Sequence, residues 1–125
     1  NNLSGPLPIS LANLAKISEL GLSDNSFSGQ FSAPLITNWT QIISLQFQNN
    51  KFTGNVPPQI GLLKKINYLY LYNNLFSGSI PVEIGNLKEM KGLDLSQNRF
   101  SGPIPSTLWN LTNIQVMNLF FNEFS

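Results

Sequence analysis

The chain has 125 residues, of which 42% are hydrophobic and 10% are charged, a balance typical of a folded domain. It contains no cysteine and no histidine, which excludes disulfides, thiolate metal sites and the most common general base of enzymes. The net charge of +1 argues against nucleic-acid or anionic-lipid binding. No metal site and no cofactor are therefore expected.

A short pattern, Asn-x-(Leu/Phe)-(Ser/Thr)-Gly, recurs along the whole chain. Its copies begin at Asn1, Asn25, Asn50, Asn74 and Asn98, and a sixth copy begins at Asn122 without its glycine. Successive asparagines are 24 or 25 residues apart. Self-similarity at this period indicates a solenoid in which each repeat forms one coil.

Each of these later asparagines follows a triplet in which two apolar residues enclose one variable position. Alternation with a period of two predicts strands near 18–24, 43–48, 67–72, 91–96 and 115–120. One strand per coil stacks into a parallel sheet with its apolar residues in the core. The predicted buried pairs are Leu20 with Leu22, Leu45 with Phe47, Leu69 with Leu71, Leu93 with Leu95, and Met117 with Leu119.

The repeated asparagine is predicted to satisfy backbone groups of the turn that follows each strand. A carboxamide offers donors and an acceptor, so it can replace the missing strand partners from inside the core. The resulting ladder consists of Asn25, Asn50, Asn74, Asn98 and Asn122. The next apolar column predicts a stacked aromatic spine, formed by Leu3, Phe27, Phe52, Phe76, Phe100 and Phe124. The glycine that follows is expected to allow a positive φ or a close approach between coils.

The remainder of each coil is predicted to form a short arc on the outer side. Apolar residues spaced by three, such as Ile84, Leu87 and Met90, suit a 3₁₀ or helical turn. The second coil departs from the pattern, because residues 30–34 lack the Ile-Pro pair and the coil contains one extra residue. Two interpretations remain open: a tolerated bulge on the outer side, or a local kink or protrusion that faces a partner.

The complete motif, Asn-x-Phe-Ser-Gly-x-Ile-Pro followed by the segment from Glu83 to Leu87, resembles the plant-specific leucine-rich repeat. The resemblance covers the whole chain and is greatest to ectodomains of receptor-like kinases. It implies an α/β solenoid: a right-handed coil with a parallel β-sheet on the concave face and short 3₁₀ or helical arcs on the convex face. Family caps usually carry cysteine pairs, so residues 1–125 are expected to be one uncapped segment of about five repeats from a longer ectodomain.

The exposed strand positions carry the candidate binding residues. Aromatic side chains concentrate there beside amides and single charges, as at Tyr68 and Phe121. Such anchors are typical of binding hot spots, although β-strands favour aromatic residues in any case. The predicted contact patch consists of Tyr70, Tyr72, Asp94, Asn118 and Phe120. Tyr72 and Phe120 are expected about 10 Å apart across Ser96, flanking an extended chain.

Three glycosylation sequons begin at Asn2, Asn38 and Asn110. Asn38 and Asn110 lie 13 and 12 residues after their ladder asparagines, and the extra residue of the second coil brings them to the same place in the coil. Two sequons at one surface position predict N-glycans on Asn38 and Asn110 and an extracellular protein.

Catalysis is not expected, because the carboxylates form no evident pair and no nucleophile has a histidine partner. Ice binding is disfavoured because the threonines are scattered over different columns. The resemblance implies recognition of a peptide or other signal on the concave face, with a co-receptor ectodomain beside it. A membrane helix and a cytoplasmic kinase would then lie elsewhere in the parent protein. The alternative is a secreted inhibitor of a cell-wall hydrolase such as polygalacturonase.

Overall fold

A computed structural model describes residues 3–125, so Asn1 and the sequon at Asn2 lie outside the described residues. Five strands form the first sheet: β2 Glu19–Gly21, β4 Ser44–Gln46, β6 Tyr68–Tyr70, β8 Gly92–Asp94 and β10 Val116–Asn118. All neighbouring strands in it are parallel, and the middle residue of each lies opposite the middle residue of the next. The predicted stacking of one strand per coil is confirmed.

A second sheet, which the sequence did not predict, runs beside the first. Its six strands are β1 Ser4–Pro6, β3 Ser26–Gln30, β5 Lys51–Gly54, β7 Leu75–Gly78, β9 Arg99–Gly102 and β11 Glu123–Phe124. These strands are also parallel. Each contains an aromatic or glycine position of the repeat but only one deeply buried side chain at most, as in β5 and β7. Strands this short show no apolar alternation, which is why the pattern did not indicate them.

The strands of the first sheet are shorter than predicted, with three residues each. They end because one residue soon after each strand adopts a left-handed conformation, with φ between 55° and 61°. These residues are Asp24, Asn49, Asn73, Gln97 and Phe121. Hydrogen bonding between coils nevertheless continues past the strand ends, since the N–H of Phe47 donates to the carbonyl oxygen of Tyr70 at 2.9 Å.

The aromatic spine is confirmed. The rings of Phe27 and Phe52 have centroids 6.3 Å apart, and Phe52 and Phe76 are 6.1 Å apart. Phe76 and Phe100 are also 6.1 Å apart, with ring planes only 9° from parallel. Stacking at the same position of each coil joins neighbouring coils through the interior.

Burial of the predicted core pairs depends on their position along the solenoid. The pairs of the three central coils, Leu45 with Phe47, Leu69 with Leu71 and Leu93 with Leu95, are at most 1% exposed. The prediction was wrong for the outer pairs, which are only half-buried: Leu20 with Leu22 and Met117 with Leu119. Each outer strand has a neighbouring strand on one side only, so one flank of its side chains lacks packing partners.

The arcs are 3₁₀ turns in four coils: η1 Ile9–Asn13, η2 Pro58–Leu62, η3 Val82–Asn86 and η4 Ser106–Asn110. In the second coil the arc is a single α-turn, α1 Ala33–Ile36, which packs against η1 and η2. The indole N–H of the buried Trp39 donates to the carbonyl oxygen of Leu11 at 2.9 Å. The extra residue is thus accommodated in the arc, which favours the bulge interpretation. Across residues 3–125, no helix is long and apolar enough to cross a bilayer.

The repeated glycine meets both expectations. Gly78 has a φ of 75°, a conformation that L side chains rarely adopt. A Cβ at this position would also collide with the side chain of Asn55, which lies on the preceding coil. The second sheet therefore depends on glycine for its backbone conformation and for its close packing.

Candidate ligand-binding surface

The predicted asparagine ladder holds consecutive coils together beneath the candidate surface. The Oδ1 of Asn74 accepts the N–H of Phe52 on the preceding coil at 3.1 Å. Its Nδ2 donates to the carbonyl oxygens of Phe47 and Leu71, at 3.0 and 3.1 Å. Asn50 and Asn98 make the equivalent bonds and are likewise buried. Asn25 and Asn122 make them as half-buried residues on the outer coils.

The exposed side of the first sheet, here called the strand face, carries three tyrosines in a line. Tyr68, Tyr70 and Tyr72 are alternate residues of one chain segment, so their side chains emerge on the same side. The ring centroids of Tyr68 and Tyr70 are 6.1 Å apart, and those of Tyr70 and Tyr72 are 6.3 Å apart. This group, the tyrosine row, presents continuous aromatic surface along a single coil.

The tyrosine row leans over the next coil, where Gly92 leaves room for it. A Cβ at Gly92 would lie 2.9 Å from a ring carbon of Tyr68 and 3.0 Å from the hydroxyl oxygen of Tyr70. Gly92 is buried beneath these rings even though it belongs to the exposed side of its strand. The absence of a side chain at this position therefore determines how the tyrosine row lies.

Asp94 and Asn118 continue the surface on the two following strands. Tyr70 lies opposite Asp94, and Asp94 lies opposite Asn118. The Oδ1 of Asp94 accepts the N–H of Ser96 at 3.0 Å and its hydroxyl at 2.6 Å. The Oδ1 of Asn118 accepts the N–H of Phe120 at 3.1 Å, in the same kind of side-chain turn. Within residues 3–125, no hydrogen bond engages the Oδ2 of Asp94 or the Nδ2 of Asn118.

The environment of Tyr70 disfavours its ionised form. Burial is the main cause that raises the pKa of Tyr70, and the neighbouring Tyr68, Asp94 and Tyr72 raise it further. The contribution of Asp94 means that its negative charge acts on the Tyr70 hydroxyl. At neutral pH the surface therefore presents a neutral phenol beside a carboxylate.

Two adjacent phenylalanines form the far end of the strand face. Phe120 and Phe121 are 74% and 77% exposed. Phe121 occupies the left-handed position, where two preceding coils have Asn49 and Asn73 joined by a 2.9 Å hydrogen bond. An aromatic residue rarely adopts this conformation, so Phe121 departs from its column in both chemistry and backbone preference.

The comparisons with known proteins agree with this geometry. Residues 65–87 and 89–111 match the model of the Leucine Rich Repeat family. A crystal structure of the ectodomain of the plant membrane receptor kinase GASSHO1/SCHENGEN3 from Arabidopsis thaliana superposes on all of this chain with a TM-score of 0.97 and 37% identity. That structure contains CASPARIAN STRIP INTEGRITY FACTOR 2. The chain belongs to the plant leucine-rich-repeat family.

Other relatives of this leucine-rich-repeat chain are also plant receptors. The Arabidopsis receptor kinase HAESA, solved with the peptide hormone IDA and the co-receptor SERK1, matches 99% of the chain with a TM-score of 0.94 and 37% identity. Receptor-like protein 39 of Arabidopsis thaliana is 44% identical over 57 residues, or 46% of the chain. The repeats span 15% and 21% of the two ectodomain structures and 6% of the receptor-like protein.

The two described sequons of these repeats occupy the same place in the coil. Asn38 and Asn110 are exposed, and each directly precedes a buried residue that closes the arc, Trp39 or Leu111. The Nδ2 of Asn38 donates to the carbonyl oxygen of Ala12 at 3.2 Å. The predicted glycosylation sites therefore lie on the arcs and not on the strand face.

The leucine-rich-repeat sheet brings Tyr70, Asp94 and Asn118 together on three adjacent strands, with Tyr72 and Phe120 beyond their ends. The contact patch omitted Tyr68 and did not account for Gly92. The available signal was the glycine itself, which interrupts a column of larger side chains between Tyr68 and Val116. Gln48 was also missed: its Oε1 is buried with no hydrogen-bond partner among the described residues. No group of acidic side chains in residues 3–125 is placed to hold a metal ion.

Proposed function

We propose that this leucine-rich-repeat segment recognises a peptide or other small signal as part of the extracellular domain of a plant receptor-like kinase. The observation that carries the proposal is the tyrosine row on the strand face. Buried positions repeat from coil to coil, whereas this exposed surface combines aromatic side chains with an acid and amides. Aromatic residues with polar surroundings dominate binding energy at protein interfaces.

The structural relatives support the proposal. Two ectodomains that superpose on this chain were solved with CASPARIAN STRIP INTEGRITY FACTOR 2 and with the peptide hormone IDA. The contact patch offers an extended peptide two aromatic anchors, Tyr72 and Phe120, on either side of Ser96. The Nδ2 of Asn118 adds a donor, and the Oδ2 of Asp94 adds an acceptor, that no protein group engages within residues 3–125. Such groups suit the backbone of an extended ligand, which has one donor and one acceptor per residue.

The test is a binding titration of the full-length ectodomain. Its peptide ligand is first captured from plant extracellular fluid and identified by mass spectrometry. Replacing Tyr72 or Phe120 with Ala is expected to weaken binding by about 1–3 kcal/mol, as for hot-spot residues. The matched control is Trp109→Ala, which removes another aromatic side chain, 76% exposed on η4 and away from the strand face. Unchanged affinity after removal of both Tyr72 and Phe120 would show that the patch is only solvated surface.

The proposal extends to partners and location. HAESA was solved with the co-receptor SERK1, and we infer a comparable co-receptor ectodomain beside this segment. Glycans on Asn38 and Asn110 and an extracellular, membrane-anchored parent protein complete the proposal. The decisive observation is the rest of the open reading frame, which is expected to contain a membrane helix followed by kinase motifs.

The second candidate is a secreted inhibitor of a cell-wall hydrolase such as polygalacturonase. The same exposed aromatic side chains would then contact the surface of an enzyme. An inhibition assay with purified polygalacturonase distinguishes the two functions. Inhibition by the full-length protein, lost on Tyr72→Ala but kept on Trp109→Ala, would favour this candidate over the receptor.

A further inference from the structure

The tyrosine row and Asp94 combine three π-faces with one carboxylate on adjacent strands. The rings of Tyr68 and Tyr70 are tilted by 44°, and those of Tyr70 and Tyr72 by 60°, so they form an uneven aromatic wall and not a closed stack. Asp94 lies opposite Tyr70 in the sheet register, close enough for its charge to act on the Tyr70 hydroxyl. Aromatic faces and a carboxylate both attract cations.

No cation of the chain occupies this place. Within residues 3–125, no lysine or arginine pairs with Asp94 or lies on a ring of the tyrosine row. Lys91 is the nearest basic residue along this coil, and it makes no side-chain hydrogen bond in the described structure. The Oδ1 of Asp94 is engaged by the N–H and hydroxyl of Ser96, which orients the carboxylate and leaves Oδ2 available. The negative charge is thus held in position without a partner of opposite sign.

We propose that this group is a binding site for the guanidinium of an arginine side chain on the ligand. The inference rests on the proposed function, since it takes the ligand to be a peptide that lies on the strand face. The guanidinium stacks on a ring of the tyrosine row and donates one N–H to the Oδ2 of Asp94. A flat, weakly hydrated guanidinium suits stacking better than a compact, strongly hydrated ammonium, so lysine binds less well.

Gly92 is part of the site because it lets Tyr68 and Tyr70 lean towards Asp94. A side chain here would meet the Tyr68 ring at 2.9 Å and displace it. Asn118 borders the site on the far side, where its Nδ2 can bond the backbone of the same ligand residue. The site therefore reads one charged side chain and leaves the flanking residues to Tyr72 and Phe120.

The test uses ligand-observed saturation-transfer NMR on the full-length protein with three probe peptides. These are acetyl-Gly-Arg-Gly-amide, the same peptide with citrulline, and the same peptide with lysine. Citrulline has the shape of arginine without its charge. The arginine peptide is expected to bind saturably and at least about fivefold more tightly than either other peptide at low ionic strength. Equal binding of arginine and citrulline overturns the proposal, and equal binding of lysine overturns the guanidinium preference.

Two variants assign the binding to this site. Asp94→Asn removes the charge but keeps an oxygen for Ser96, and Tyr70→Leu removes the aromatic face while keeping an apolar side chain. Each is expected to weaken the arginine peptide about fivefold or more, without changing the response to citrulline. The control is Glu19→Gln, which removes an acid from the same sheet on β2, away from the tyrosine row. Loss of binding in the control, or unchanged binding in Asp94→Asn, contradicts the assignment.

The probe experiment separates this inference from the proposed function. If the strand face does not bind the natural ligand but the arginine peptide binds and depends on Asp94, the receptor proposal fails and the cation site stands. If the natural ligand depends on Tyr72 and Phe120 but not on Asp94, and the arginine peptide does not bind, the cation site fails alone. Melting curves of both Asp94→Asn and Tyr70→Leu are recorded first, and only folded variants are titrated.

Discussion

The side-chain oxygen of Asn74 accepts a hydrogen bond from the backbone N–H of Phe52, one coil earlier, at 3.1 Å. Because Asn74 is 5% exposed, water cannot replace this acceptor when the side chain is removed. Asn74→Ala is therefore expected to lower the free energy of unfolding by about 1–3 kcal/mol, the cost of leaving buried backbone groups unpaired. Chemical denaturation followed by circular dichroism measures the change.

The neighbouring asparagine is the matched control for this prediction. Asn73 is exposed and has a φ of 55°, a conformation that glycine adopts without strain. Asn73→Gly removes a carboxamide of the same size, and the expected loss of stability is well below that of Asn74→Ala. Similar losses for the two variants would contradict the ladder as the reason for the repeated asparagine.

Gly78 is expected to tolerate no side chain. Gly78→Ala places a Cβ at a φ of 75° and against the side chain of Asn55. The left-handed conformation alone is expected to cost about 1–2 kcal/mol. Gly21→Ala is the control, because a Cβ there meets nothing within 4 Å, and it is expected to leave stability unchanged or slightly increased. Thermal denaturation of both variants checks the contrast.

The pKa of Tyr70 is expected to fall when Asp94 is replaced by Asn. Loss of the carboxylate removes one contribution that disfavours the phenolate, but burial, the larger cause, remains. The pKa of Tyr70 in Asp94→Asn should therefore lie between its native value and the ordinary value of 10.0. NMR titration of ¹³C-labelled tyrosine rings measures it, and an unchanged pKa would show that the Asp94 charge does not reach the ring.

The raised pKa of Tyr70 also implies a pH dependence of stability. The unfolded chain releases the Tyr70 proton at the ordinary pKa, whereas the folded chain holds it to higher pH. Below that ordinary pKa the phenol is neutral in both states and contributes no pH dependence. Above it, the unfolded state is favoured by ionisation, so the contribution of Tyr70 to the free energy of unfolding falls as pH rises. The loss with pH is expected to be smaller in Asp94→Asn.

Phe121 is expected to reduce the stability of its turn. Its φ of 58° suits Asn, and its ring is 77% exposed, so little packing is lost when it is replaced. Phe121→Asn is expected to raise the free energy of unfolding by about 1 kcal/mol. Phe120→Asn makes the same chemical change at a neighbour that lacks the left-handed backbone, and no gain is expected there. A loss of stability in Phe121→Asn would mean that the ring packs more than its exposure indicates.

Asn38 and Asn110 are expected to carry N-glycans when the protein is produced in a secretory host. Both side chains are exposed and lie at the end of an arc, where an attached sugar meets no core packing. Mass spectrometry is expected to show the loss of one glycan on Thr40→Ala and one on Thr112→Ala, since each change removes a sequon but keeps its asparagine. The finding that both asparagines are unmodified would remove the sequon evidence for an extracellular location.

The sequence by itself determined the coil and its core. Asparagine, apolar triplet and glycine recur at a constant period, and every coil needs the same buried groups to stack on the next. The parallel strands, the phenylalanine spine and the burial of Leu69 and Leu71 were all predictable for this reason. Local turn chemistry also indicated the positive φ of the repeated glycine.

Only the tertiary structure decided the features that depend on contacts between coils. The second sheet forms because segments such as β5 and β7 pair across coils, although neither shows an alternating pattern of its own. The tyrosine row leans over Gly92 because a residue 24 positions further along the chain has no side chain. The Oδ1 of Asp94 bonds Ser96, which leaves one oxygen for a ligand. Exposed positions face no repeated packing constraint, so their period carries no information, and their arrangement follows from which side chains meet across the sheet.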